Sequence, residues 1–215
     1  LSEITQPESS RSFPDIGPFF MYCMRQIVWP WLLVPLGCAF LFGWLLDHHV
    51  FHGLKDFYEF VALKMLQFGV LVTVIRFLVR RDRFLGWLMI LAIALCCREI
   101  HFVGTSNGVY ITLVLLALVL WLKYPWFTGY LASRFNVTLI ATAFFCYFIA
   151  VTLDQHWWRS FDAVARVDSS LEERMEVLGH GLMLMLFLLA RKGDGPILVW
   201  PPVEQREETE ESDPA

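Results

Sequence analysis

Residues 168–192 read DSSLEERMEVLGHGLMLMLFLLARK, a charged helix that turns without a break into an apolar one long enough to enter a bilayer. Glu172, Glu173, Glu176 and His180 stand at i, i+1, i+4 and i+8. At about 100° per residue they fall within an arc of roughly 100°, and Met183 and Phe187 continue it downward. Ionisable groups carried into hydrocarbon are costly and face a bundle interior or a water-filled cavity. Partners for these residues are therefore expected on neighbouring helices.

The rest of the chain has the composition of such neighbours. It is 57% hydrophobic and only 18% charged, with 19 Phe and 9 Trp and a mean hydropathy of +0.53. Soluble domains average nearer 45–50% apolar and about 25% charged. The apolar residues come in blocks approaching the ~20 that a spanning helix needs. These blocks predict an all-α integral membrane protein of six spans: about 27–46, 57–79, 84–97, 109–122, 137–153 and 168–190. Pro30 and Pro35 predict a kink in the first, because each ring removes a backbone donor. Lys64 and Gln67 share a face of the second, from which Lys64 reaches towards the interface.

Residues 1–25 form an N-terminal arm without the basic start and short apolar core of a secretory signal. Residues 26–192 make the membrane domain, and 193–215 an acidic tail expected to be disordered. That tail supplies much of the net charge of -4. A nucleic-acid partner is excluded, since no basic patch is interleaved with aromatics. Before the last span, Trp157, Phe161, Val164 and Ala165 recur at helical spacing opposite Arg159, Asp162 and Arg166, predicting a short amphipathic helix in the interface. Ser170 to Glu173 has capping-box spacing, which accounts for Glu173 without any further role.

Basic residues set the orientation. With six spans both termini share a side, and Arg11, Arg25, Arg80, Arg81, Arg83, Lys123, Arg134, Arg191 and Lys192 lie on it. Lys55, Arg98, Arg159, Arg166 and Arg174 lie on the other. The bias places both termini in the cytoplasm and the protein in a plasma membrane, the inner one in a bacterium. Trp29, Trp31, Trp121, Tyr124 and Trp126 then form an aromatic belt at the cytoplasmic interface. Under this topology all six histidines, His48, His49, His52, His101, His156 and His180, collect at or below the opposite face with Glu99 and Asp154. The rise of 1.5 Å per residue sets His180 roughly 16 Å above Arg191, inside the ~30 Å core.

Glu176 and His180, at i and i+4, can hold one ion from a single helix face, the logic behind the histidine pair of HExxH. With His101 and His156 they form the expected metal set, and imidazole with carboxylate suits zinc or iron. Glu176, Glu99 and Asp154 are the expected catalytic carboxylates, as ligands or general base towards a metal-activated water. The histidines of the 47–56 loop read as a solvated interfacial segment. Two functional readings stay open. One is a metal-assisted enzyme acting on a lipid or lipid-linked substrate at the outer leaflet. The other is a non-enzymatic protein, a proton-coupled carrier or a partner subunit of a membrane complex, using the same residues for proton relay or helix packing. No disulfide framework, phosphate loop, GxSxG or haem-attachment motif adds a third.

Overall fold

The computed structural model describes residues 16–47, 54–100, 105–155, 157 and 168–194. Those residues form helices α1 (Ile16–Gln26), α2 (Leu33–Asp47), α3 (Leu54–Arg80), α4 (Arg83–Glu99), α5 (Thr105–Leu122), a single turn α6 (Thr128–Leu131), α7 (Arg134–Asp154) and α8 (Asp168–Leu189). Short 3₁₀ turns at Trp29–Leu32 and Tyr124–Trp126 join α1 to α2 and α5 to α6. No strand occurs among the described residues.

Local chemistry sets the helix ends. Arg81 takes a left-handed conformation (φ 48°), and its N–H donates to the Phe77 carbonyl at 2.7 Å, closing α3 where glycine more often stands. Asp82 then caps α4, its carboxylate accepting from Phe84 N at 2.9 Å. Two residues thus reverse the chain, and α3 and α4 pack as an antiparallel pair. Ser133 caps α7 in the same way, accepting from Asn136 N at 3.5 Å. The helix over 168–189 is already under way at Ser170, so the capping-box account of Glu173 lapses.

The first span departs from expectation. The chain breaks at Ile27 and Val28, ahead of Pro30, and the flanking helices Phe19–Gln26 and Trp29–Leu41 meet at 81°. Pro30 falls in the first residues of the new turn, where its missing N–H costs nothing. The Val28 N–H freed by the break donates to Thr138 Oγ1 at 3.1 Å. The arm read as 1–25 therefore carries a helix that packs on α7.

α8 is the central element, packed against α7 and α3 and also touching α2. Phe187 enters the bundle at Gly69, where a Cβ would lie 2.7 Å from the Phe187 ring. Its last carbonyls do not face hydrocarbon unpaired, since the Arg76 guanidinium donates to Phe187 O and Ala190 O. At the same end Phe84 stacks on Tyr130 at 4.1 Å between centroids, and Trp87 donates to Leu116 O at 3.0 Å. Tyr124, expected in the interfacial belt, is buried there, whereas Trp29, Trp31 and Trp126 are exposed.

The surface is inverted relative to a water-soluble bundle. Phe57, Phe60, Phe68, Leu71, Ile75 and Leu78 lie exposed along one face of α3, while Thr73, Asn136, Thr142, Thr152, Arg174 and His180 are buried inside. An apolar face of this extent marks contact with another apolar phase. Among the described residues, Phe57–Arg80 and Arg134–Leu153 are long and apolar enough to cross a membrane, and the bent pair adds a third if it is one broken span. The apolar part of α5, Ile111–Leu122, is shorter. α4 has only 17 residues and ends in charge, and α8 opens on Glu172, Glu173, Arg174 and Glu176. The interfacial helix expected before the last span lies outside the described residues.

Candidate functional site

The polar residues of α8 meet α4 and α7 at the end of the bundle opposite the Arg76 cap. α4 delivers two adjacent side chains, Arg98 and Glu99, in its last turn. α8 receives them one turn apart. Arg98 Nη2 lies 2.7 Å from Glu176 Oε1, and Glu99 Oε1 lies 3.3 Å from His180 Nε2. The i, i+1 step on one helix thus matches the i, i+4 step on the other.

The two charges of α4 are not equivalent. Arg98 stands at a helix C-terminus, where the dipole favours a cation; Glu99 stands there against it. A neighbouring imidazole that can carry positive charge offsets that disadvantage. From the other side Tyr147 of α7 brings its hydroxyl to 3.1 Å from His180 Nδ1, with the rings edge to face at 5.4 Å. Gly179 makes this approach feasible, since a Cβ there would lie 3.0 Å from Tyr147 Cε1. His180 is held between a phenol and a carboxylate supplied by two different helices.

Burial deepens along the cluster. The side chains of Arg98, Glu176, Glu99 and His180 are 30%, 21%, 12% and 1% exposed. The Glu99 approach is close enough for charge to matter but misaligned for a hydrogen bond, so the buried Nε2 has no hydrogen-bond partner among the described residues. Glu176 Oε1 is likewise close to Arg98 without an aligned bond. Distance governs the electrostatic argument, and the misalignment marks Nε2 as a position with unused bonding capacity. Below His180 the lining becomes apolar: Met183, Leu186 and Phe187 are all buried. α3 meets this stretch with Met65 at Gly181, while Leu36 and Ala39 of α2 pack higher on α8, with Leu171 and Met175.

The structure therefore brings together Glu99, Glu176 and His180 from the residues singled out above. Asp154 closes α7, with its side chain outside the described residues, as are His101, His156 and the histidines of the 47–56 loop. Among the described residues no group of three or more His, Cys, Asp and Glu is placed to hold a metal ion. Glu176 already faces a guanidinium, whose charge opposes a second cation at that carboxylate. Arg98 and Tyr147 are the members that sequence reasoning missed. Gly179 and Gly181, flanking the histidine, were the available signal, because small residues mark close helix contacts in membranes.

Comparisons with protein-family models, curated proteins and solved structures give no match to this chain.

Proposed function

We propose that this chain is a non-enzymatic, six-span membrane protein with both termini cytoplasmic, in which His180 accepts a proton arriving from the non-cytoplasmic side. Proton arrival is coupled to how α4, α7 and α8 hold one another. The observation that carries this reading is the placement of His180 Nδ1 at 3.1 Å from the Tyr147 hydroxyl and Nε2 at 3.3 Å from Glu99. Imidazole is the side chain whose ordinary charge change falls between about pH 5 and 8. When neutral, Nδ1 accepts from the phenol; when charged, it donates to the same oxygen and makes an ion pair with Glu99. The groups that sense this charge are Tyr147 on α7, Arg98 and Glu99 on α4, and Glu176 on α8 itself.

The gradient of exposure from Arg98 inward supports access from one side, and the apolar residues beneath His180 favour a dead-ended acceptor over a path through the bilayer. A proton-responsive partner subunit fits that geometry better than a carrier. A metal-assisted lipid hydrolase is less well supported, because Glu176 is committed to Arg98.

Spin labels at Ile100→Cys and Gln155→Cys, beyond the ends of α4 and α7, test the coupling by pulsed distance measurements in nanodiscs at pH 8 and pH 5. With the five native cysteines replaced by alanine, the distance distribution should shift with pH while His180 is present and stay fixed with His180→Gln. A distribution that ignores pH with His180 present would overturn the proposal. So would stoichiometric zinc or iron in the purified protein that Glu176→Gln and His180→Gln remove.

A further inference from the structure

At the opposite end of the bundle a cavity of about 610 Å³ opens where α1, α7 and the segment after α8 converge. Gln26, Ala132 and Ser133 line it and are buried; Phe135 and Arg134 come from the first turn of α7, and Arg191, Lys192, Gly193 and Asp194 from the chain beyond α8. The walls are held firmly. Gly193 N donates to Gly129 O at 2.8 Å, and Asn136 Nδ2 donates to Arg191 O at 2.7 Å. A Cβ at Gly193 would lie 2.5 Å from Ser133 N, so only glycine lets the two segments close on each other.

The charges in this cavity are not balanced. Lys192 is already engaged, 3.4 Å from Asp82 and over the Tyr130 ring. Burial, with the Asp82 carboxylate beside it, pushes the Tyr130 phenol above its usual range, so that side chain stays neutral. Arg134 and Arg191 have no ion pair among the described residues, and Asp194 is the one carboxylate on the lining. Two guanidiniums separated by 57 positions in sequence thus share one concavity with the Ser133 hydroxyl. Guanidinium groups match phosphate oxygens in pairs. The exposed Phe135 supplies an apolar edge at the same mouth.

We infer that this cavity binds a phosphate group, and that its occupant is the headgroup of an anionic phospholipid in the leaflet next to the chain termini. The position favours a lipid: Trp126, between Arg83 at 4.5 Å and Lys123 at 5.7 Å, marks this end of the bundle as a membrane interface. Basic pockets between spans on that side bind acidic headgroups by the same chemistry. This inference goes beyond the role of His180 and shares no residue with it.

Native mass spectrometry of the full chain released from detergent micelles tests it, with phosphatidylglycerol, phosphatidylcholine of the same chains and inorganic phosphate as probes. Phosphatidylglycerol should bind one per chain in preference to phosphatidylcholine. Arg134→Gln with Arg191→Gln should weaken it about thirtyfold, from roughly a factor of five for each cation. The paired Arg→Lys variant, which keeps charge but loses the paired geometry, should fall between wild type and the glutamine variant. Arg80→Gln with Arg81→Gln, basic residues of the same end outside the cavity, should leave binding unchanged. If inorganic phosphate occupies the site in preference to phosphatidylglycerol, with the same dependence on Arg134 and Arg191, the phosphate site stands and the lipid as occupant is overturned. Equal phosphatidylglycerol binding by wild type and the Arg134/Arg191 glutamine variant, at unchanged helicity, would overturn the site itself.

Discussion

Replacing Arg98 and Glu176 by glutamine, singly and together, measures how strongly α4 is tied to α8. The closest atoms are 2.7 Å apart. With charge centres about 4 Å apart, the attraction is about 4 kcal/mol at an effective dielectric near 20. Both side chains are partly exposed, 30% and 21%, so that figure must be discounted for solvent screening. Fully exposed pairs fall to about 0.2–1 kcal/mol. A coupling of about 1–2 kcal/mol lies between these bounds. Arg98→Gln leaves the less exposed partner without its cation and should cost more than Glu176→Gln. The double variant should be less destabilised than the sum of the two by the coupling energy. Reversible unfolding in mixed micelles, followed by far-ultraviolet circular dichroism as the denaturing detergent fraction rises, gives all four free energies. Costs that add to within about 0.3–0.5 kcal/mol would show that the contact does not tie the helices, and the reasoning built on it would fail.

Two further outcomes follow from the same geometry. Gly179→Ala puts a methyl group 3.0 Å from Tyr147 Cε1. Overpacking of about 1–3 kcal/mol should outweigh the ~1 kcal/mol gained in helix propensity. In a Tyr147→Ala background the sign should reverse; stabilisation by Gly179→Ala in the wild type would mean that Tyr147 does not pack there. A single cysteine between positions 48 and 53 should react with a membrane-impermeant reagent from outside the cell, and one between 195 and 215 should not. The reverse pattern would invert the topology and the direction from which protons reach His180.

The middle helices were legible in the sequence because apolar blocks mark them: those read as 57–79, 84–97, 109–122 and 137–153 fall within α3, α4, α5 and α7. The stripe of Glu176 and His180 was legible too, since helical spacing needs no knowledge of neighbours. Their partners were not. Arg98 reads in isolation as a basic residue at a span end, and only the crossing of α4 over α8 turns it towards Glu176. Tyr147 lies in the run FFCYF within an apolar block, and its role depends on Gly179 across the helix interface. The proline reading failed for a related reason. A proline can bend a helix or begin one, and the Val28 to Thr138 bond, a contact across 110 residues, accompanies the second outcome here.

The charge state of His180 itself is the most direct test. Nitrogen-15 spectra of histidine-labelled protein in nanodiscs, assigned by the resonances missing in His180→Gln, report its tautomer and protonation from pH 8 to pH 5. The account predicts that acidification adds a proton to the His180 ring, and that Tyr147→Phe and Glu99→Gln each shift its resonances. A His180 ring that keeps one protonation state from pH 8 to pH 5, while other histidines titrate, would contradict the account.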